Sequence, residues 1–171
     1  FREYREMCGL RLALESYAAG LAAENRTTDE LHEMELALDA MRGLTAKLIA
    51  SPTKDPELIS ELRREDVRFH IAITGAAKSE LLKKEVLRLH IVTRVVSGPS
   101  PGSSPVTDKA SDNVHRKEVQ ESHEKIYRTI EQGDAPAAKS AMERHIQDII
   151  DVNMRRIART DRAAVTRELS E

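Results

Sequence analysis

Asp66 and His70 lie four residues apart in a stretch with helical periodicity, and both fall on its apolar side together with Phe69 and Ile73. Residues three and four apart share one face of a helix. A carboxylate and an imidazole on that face would be buried, and burying such groups without partners costs several kcal/mol. The sequence therefore predicts that further polar groups face this pair inside the fold.

Two more histidines fall on apolar helix faces in the second half of the chain. His123 aligns with Ile126 and Ile130, and His145 aligns with Met142. A single inward histidine is usually a hydrogen-bonded core residue. Three of them with an inward carboxylate instead favour a divalent metal ion inside a helical bundle, because one cation would satisfy all four groups.

The residue types limit which metal and which ligand such a site would take. Three neutral imidazoles and one carboxylate suit Zn²⁺, Ni²⁺, Co²⁺, Mn²⁺ or Fe²⁺, and we favour Zn²⁺ or Ni²⁺. Octahedral coordination would leave two open positions and a net positive charge, which attract a small organic anion such as a carboxylate. Arg11 is the first candidate to bind that anion, because it points toward the core edge, and Arg94 is the second.

Six helices are predicted to position these residues, and no stretch has the alternation of a β-strand. The predicted ranges are about 2–25, from about 31 to 50, 56–77, 79–96, 114–132 and from 135 to about 155, followed by a charged tail. The predicted apolar face of the first helix consists of Met7, Leu10, Leu14, Tyr17 and Leu21. The stretch from Ser97 to Pro105, polar onward to Asn113, is predicted to be a long surface connection, with a ligand lid as the alternative.

Composition narrows the class of protein. A chain of 171 residues is long enough for one domain with a real core. A net charge of −2 argues against direct nucleic-acid binding by this segment. The single Cys8 excludes an internal disulfide and fits a cytoplasmic location. The chain begins at Phe1 in a helical pattern, so we expect a domain of a longer protein.

Three motifs in this order resemble the FCD domain, the C-terminal effector-binding domain of FadR-type GntR transcription regulators. The first, R-x-x-L-E-x-x-A-A-x-L-A-A, begins at Arg11, and the second, D-x-x-F-H, begins at Asp66. The third is H-x-x-I-x-x-A-I-x-x-G-D-x-x-x-A-x-x-x-M-x-x-H, and the chain matches it at His123, Ile126, Ile130, Gly133, Asp134, Ala138, Met142 and His145. The resemblance covers about residues 6 to 150, nearly the whole chain.

The resemblance implies an all-α, antiparallel bundle of six to seven helices with a metal site in its core. It implies that the metal ligands are Asp66, His70, His123 and His145. It further implies a small carboxylate effector, a homodimer, and a winged helix-turn-helix DNA-binding domain upstream of Phe1. The chain departs from many family members at two positions, with Gly9 in place of an acid and Lys78 in place of Asn.

Two other classes of function remain open at this point. Open metal coordination also suits a metal-dependent hydrolase or lyase, for which Glu65 and Tyr127 would be the nearest acid or base. Both residues fit a helix surface better, so we predict that the protein is not an enzyme. A bundle with a purely structural metal is the third possibility.

Overall fold

The computed structural model describes residues 2–53, 55–96 and 109–168, with side chains throughout except at 94–96, 109 and 156–168. All secondary structure in these ranges is helical, as predicted. The helices are α1 (Arg2–Asn25), α2 (Thr28–Ala50), α3 (Pro56–Ala76), α4 (Glu80–Val96), α5 (Lys109–Glu131) and α6 (Ala135–Glu168). No helix in the described ranges is long and apolar enough to span a bilayer.

Local side-chain chemistry sets where the second and third helices begin. Thr27 caps α2 through a capping box, in which its hydroxyl accepts from the backbone of Glu30 and the Glu30 carboxylate accepts from the backbone of Thr27. Asp55 caps α3 by accepting from the backbone N–H of Leu58 at 3.2 Å. Pro56 occupies the first turn of that helix, where it removes no hydrogen bond. These caps fix the phase of the helices that carry the polar residues.

The turn between α5 and α6 orients the two helices that carry His123 and His145. Gly133 has φ +76, the left-handed conformation that ends a helix, and Asp134 N–H donates to Thr129 O at 3.0 Å. Arg26, just after α1, donates from Nη2 to Glu131 O at 2.9 Å. Because Arg26 packs against Gly133, this turn is held against the end of α1.

The core lies where α1 packs between α6, α3 and α4, while α2 covers α3 and α5. The antiparallel bundle of six to seven helices predicted from the sequence is confirmed, with six in the described ranges. Its largest fully buried apolar side chains are Phe69, Met34, Met41, Ile73, Ile126, Ile130, Met142 and Ile146.

The predicted apolar face of α1 is wrong at Leu10 and Tyr17, whereas Leu14 and Leu21 pack against a buried apolar cluster. Leu10 and Tyr17 are 54% and 57% exposed, although their spacing is that of a buried face. The buried face carries smaller and more polar residues, namely Tyr4, Cys8, Glu15, Ser16, Ala18, Ala19, Ala22 and Ala23. The physical reason is close packing, since the alanines allow α1 to approach its neighbours where larger side chains would not fit.

Two predicted helix boundaries also need correction. α5 begins at Lys109 rather than near Val114, so the predicted connection is shorter than expected, and its residues 97–108 lie outside the described residues. α6 continues to Glu168, where the sequence predicted a tail after Arg155. That extension lacks a clear apolar period but is rich in Ala and Arg, which have high intrinsic helix propensity.

Candidate metal centre

Three histidines from three helices meet inside the bundle. His70 of α3, His123 of α5 and His145 of α6 are each no more than 2% exposed. The His123 and His145 ring centroids are 4.3 Å apart, and His70 lies 5.6 Å and 5.3 Å from them. One nitrogen of each ring lies within 4.8 Å of the other two. The helix phases inferred from the sequence thus bring these residues together.

The nitrogens that face one another make no hydrogen bond of normal geometry in the described ranges, although that of His123 lies 3.1 Å from Asp66 Oδ1. Nε2 of His70, of His123 and of His145 is buried in each case and makes no hydrogen bond of normal geometry within the described part of the chain. A buried polar atom without a partner costs about 1–3 kcal/mol, so three together are unusual in a folded protein. A divalent cation accepts lone pairs from neutral imidazoles, and the set fits such an ion.

Asp66 lies at the edge of the three histidines. Its Oδ1 is 3.1 Å from His123 Nε2, and its side chain is 33% exposed. Burial alone would raise the pKa of Asp66, but the contact with His123 and the nearby His70 hold that pKa well below its ordinary value. The carboxylate is therefore ionised at neutral pH and supplies a negative charge beside the three histidines.

A hydroxyl group orients the His145 ring. Ser122 Oγ donates to Val119 O at 2.7 Å and lies 2.7 Å from His145 Nδ1. Because the hydroxyl hydrogen is used on the carbonyl, Ser122 accepts from Nδ1–H, which leaves the lone pair of His145 on Nε2. Burial, followed by the neighbouring His123 and His70, lowers the pKa of His145 well below its ordinary value, so its ring is neutral at neutral pH.

Glu15 is a buried carboxylate that the sequence prediction did not select for this region. It is 1% exposed, and its Oε2 contacts His70 Nδ1. Its Oε1 lies 2.7 Å from Arg11 Nε and 3.2 Å from His90 Nε2. Burial alone would raise the pKa of Glu15, but His70 and Arg11 hold it well below the ordinary value. Glu15 is thus the centre of a second cluster of polar side chains, contributed by α1, α3 and α4, which shares His70 with the three histidines.

Signals for Glu15 and His90 are present in the sequence. Glu15 follows Arg11 by four residues and lies between Arg11 and the alanines of the same motif, and His90 follows Val86 by four on the apolar face of α4. Both were missed because the apolar face of α1 was assigned from its largest side chains. With Glu15 placed inward, a fourth inward histidine opposite it would have been expected.

Of the two arginines proposed to bind an effector, the structure describes the side chain of Arg11 but not that of Arg94. The Arg11 side chain is 11% exposed and held by Glu15. Burial alone would lower the pKa of Arg11, but Glu15 and, to a smaller extent, Asp66 raise it, so its guanidinium carries a positive charge near the histidines. Arg94 belongs to α4, but its side chain lies outside the described residues.

Neither candidate general acid or base lies among the histidines. Glu65 is paired with Arg68 at 3.3 Å on the surface of α3. Tyr127 lines a surface cavity of about 210 Å³ between α2 and α5, together with Glu35, Arg42 and other charged residues. The geometry supports cation binding more directly than it supports proton transfer.

The two departures from the family pattern are at surface positions. Lys78 has φ +59, and its ammonium group pairs with Glu30 of α2. Asn tolerates this left-handed conformation better than Lys, which is a backbone reason for Asn at this turn in other members. Gly9 lines a groove between α1 and α6 that also includes Leu12 and Arg144.

Comparisons with known proteins agree with this architecture. The profile of the FCD domain family matches residues 6–148. HTH-type transcriptional regulator LutR of Bacillus subtilis (strain 168) is 29% identical over 150 residues, and the match covers 88% of this chain but 62% of LutR. The structure of McbR/YncC from E. coli superposes with a TM-score of 0.66 at 16% identity, covering 88% of this chain and 67% of that one. The chain therefore spans about three fifths of the curated relative's length.

Proposed function

The chain belongs to the FCD domain family, and on that premise we propose that it is the ligand-sensing domain of a GntR/FadR-type transcription regulator. Its similarity to LutR, a regulator named for a helix-turn-helix, supports a DNA-binding domain upstream of Phe1 in the whole protein. Such a regulator would work in the cytoplasm. Effector binding in this domain would then change the affinity of the whole protein for DNA.

We propose that the domain binds one divalent metal ion through Asp66, His70, His123 and His145. The observation that supports this proposal is the meeting of three buried Nε2 atoms that make no hydrogen bond of normal geometry in the described residues, with Asp66 Oδ1 3.1 Å from that of His123. The donor set of imidazoles and one carboxylate favours Zn²⁺ or Ni²⁺, with Mn²⁺, Co²⁺ and Fe²⁺ as alternatives. When bound, the metal would supply a Lewis-acidic positive centre for an anionic ligand.

We propose that the effector is a small organic acid and that Arg11 helps to bind it. Arg11 uses Nε for Glu15, and its remaining N–H donors can grip a carboxylate. Its charge lies near Asp66 and therefore near the proposed metal. Arg94 stays a second proposed contact.

Metal content and effector binding can be measured separately. Elemental analysis of the purified domain, before chelation and after reloading, should find one metal per chain. Thermal-shift measurements with small carboxylates on the loaded domain should then identify a stabilising acid, since a ligand at 100 times its dissociation constant adds about 2.7 kcal/mol. The absence of stoichiometric metal under both conditions would contradict the metal site.

Replacing Arg11 with lysine is expected to weaken binding of the identified acid about tenfold, or ~1.4 kcal/mol, because lysine cannot form a bidentate pair. Isothermal titration calorimetry on the metal-loaded domain measures this change. Arg42→Lys is the matched control, because Arg42 is an exposed arginine paired with Asp39 and Glu124. Arg11 would not be an effector contact if its substitution left affinity within about twofold, a difference below ~0.5 kcal/mol.

We propose that the domain forms a homodimer through α1 and α4. Leu14 and Leu21 of α1 pack against the buried apolar cluster that includes Leu82 of α4, and Leu10 and Tyr17 on the same side of α1 stay exposed. On α4, Leu81 and Ile91 are 72% and 55% exposed. Exposed apolar side chains on adjoining helices favour association with a second copy.

Tyr17→Glu is expected to shift the domain toward the monomer, because it places a charge on the exposed apolar side of α1. Light scattering during size-exclusion chromatography measures the mass. Val114→Glu is the control, since Val114 is equally exposed at 57% but lies on α5, whose described residues do not pack against those of α4. Equal masses for both variants would argue against this interface.

A further inference from the structure

Glu15 is a buried carboxylate that is not among the proposed metal ligands. Its side chain is 1% exposed, and its oxygens contact nitrogen atoms of three side chains on three helices, namely Arg11, His70 and His90. Its Oε2 contacts His70 Nδ1, although neither of these atoms nor His70 Nε2 makes a hydrogen bond of normal geometry within the described part of the chain. Glu15 therefore lies behind the histidine cluster, on the other side of the His70 ring.

An ionised carboxylate accepts hydrogen bonds and cannot donate them. A neutral imidazole carries one hydrogen, so a hydrogen on His70 Nδ1 directed at Glu15 leaves a lone pair on Nε2. That lone pair lies on the side of His123 and His145, whose own Nε2 atoms also lack hydrogen bonds of normal geometry. Metal-binding histidines commonly donate their other N–H to a carboxylate, which fixes the ring and strengthens the ligand.

Building on the proposed metal site, we propose that Glu15 is its positioning residue: it holds His70 as the Nδ1–H tautomer and so presents Nε2 to the metal. Ser122 Oγ accepts from His145 Nδ1–H in the same way, at 2.7 Å. Two of the three rings therefore have a hydrogen-bond acceptor at Nδ1. Because Glu15 also holds Arg11 at 2.7 Å, the metal ligand and the proposed effector contact share one carboxylate.

The alternative occupant of the Glu15 region is a second metal ion, since Glu15, His70 and His90 each offer a ligand atom within 4.8 Å of the others. Arg11 argues against it. Its Nε lies 2.7 Å from Glu15 Oε1, so a divalent ion there would meet a permanent positive charge at close range. A second ion would also require His70 to give up the hydrogen on Nδ1. A carboxylate with three N–H donors needs neither change.

Glu15→Gln tests the role, because it preserves size while removing the charge and one acceptor oxygen. Metal affinity, measured by competition with a chromophoric chelator and Zn²⁺, is expected to fall about 10- to 100-fold. Long-range ¹H–¹⁵N correlation spectra of the metal-free domain at pH 7.5 should show His70 as the Nδ1–H tautomer in the native protein and a shift toward Nε2–H in the variant. Glu15→Asp should recover part of the affinity, since it keeps the charge.

Glu30→Gln is the matched control, because Glu30 is also a carboxylate with several partners, among them Lys78 and Thr27, and lies outside the histidine cluster. It should lower stability without changing Zn²⁺ affinity or the His70 tautomer. If the native domain binds no metal, the proposed function fails. Bound metal with unchanged affinity and tautomer in Glu15→Gln would overturn only the role of Glu15.

Two further outcomes are decisive. Two zinc ions in the native domain and one in Glu15→Gln would make Glu15 a ligand of a second site and overturn the positioning role. If Glu15→Gln does not fold, the native spectrum alone decides, because an Nε2–H tautomer of His70 in the metal-free protein would contradict the proposal.

Discussion

Replacing His145 with alanine is expected to remove most of the stabilisation that added Zn²⁺ gives to the native domain. His145 presents a buried Nε2 without a hydrogen bond of normal geometry to the cluster, and Ser122 orients its ring from behind. Loss of one imidazole from a four-residue ligand set should reduce metal affinity more than the roughly 10- to 100-fold typical of losing an outer hydrogen-bond partner. At zinc concentrations about 100 times the native dissociation constant, the native domain gains about 2.7 kcal/mol.

The metal-free proteins provide the comparison that isolates this effect. In chelated protein, His145→Ala removes packing contacts, which destabilises the fold, but it also removes a buried nitrogen without a hydrogen bond of normal geometry, which stabilises it. These contributions oppose each other, so we expect a net change of about 1–2 kcal/mol or less in either direction. The measurement is therefore the difference between melting curves with zinc and with chelator, taken for each protein.

His32→Ala is the matched control. The His32 side chain is 64% exposed and makes a 3.7 Å contact with Glu35 on the same helix, so it can lose its imidazole without affecting the cluster. The control should retain the full zinc-dependent shift. A His145→Ala protein that gained as much from zinc as the native one would show that His145 is not a ligand.

The site was predictable from the sequence wherever its residues lie on helix faces marked by large apolar side chains. His123 shares a face with Ile126 and Ile130, all of which are buried, and periodicity is sufficient to place it. The same reasoning places His70 beside Phe69 and Ile73. Helix phase places each histidine inward, and the expectation that one cation would satisfy them all predicted that they meet. The structure places their ring centroids 4.3 to 5.6 Å apart.

Periodicity failed on α1, where side-chain size and burial are not correlated. The alanines at 18, 19, 22 and 23 are buried while Leu10 and Tyr17 are exposed, because close helix packing selects small residues. Because the apolar face of α1 was assigned to the wrong side, Glu15 was not recognised as a buried residue. Since a buried carboxylate is costly without donors, its position becomes understandable only when Arg11, His70 and His90 are known to surround it.

Acidification from pH 8 to 5 is expected to destabilise the zinc-loaded domain more steeply than the chelated one. The chelated form also loses stability, because burial lowers the folded-state pKa of His145 and of His90. The unfolded chain, with histidine pKa values near 6.5, then binds more protons than the folded one. The neutral rings of His145 and His90 therefore cost no stability above about pH 6.5, and the free energy of unfolding falls as the pH drops below that value.

Zinc increases the number of protons that the folded state excludes. All three proposed imidazole ligands must stay unprotonated to bind the metal, so protons compete with zinc for the site. Each additional excluded proton steepens the slope by about 1.4 kcal/mol per pH unit below the unfolded pKa. The lowered pKa values of Glu15 and Asp66 affect stability only at lower pH. The stability that these two carboxylates provide is lost below about pH 4.

Paired melting curves in excess zinc and in chelator, at half-unit steps from pH 5 to 8, measure the two slopes. The zinc-dependent gap should be widest near pH 8 and should close as pH falls below about 6, when protons displace the metal. His145→Ala should show the chelated slope under both conditions, while His32→Ala should behave like the native domain. Parallel profiles with and without zinc in the native domain would mean that protons do not compete with zinc between pH 5 and 8, contrary to this prediction.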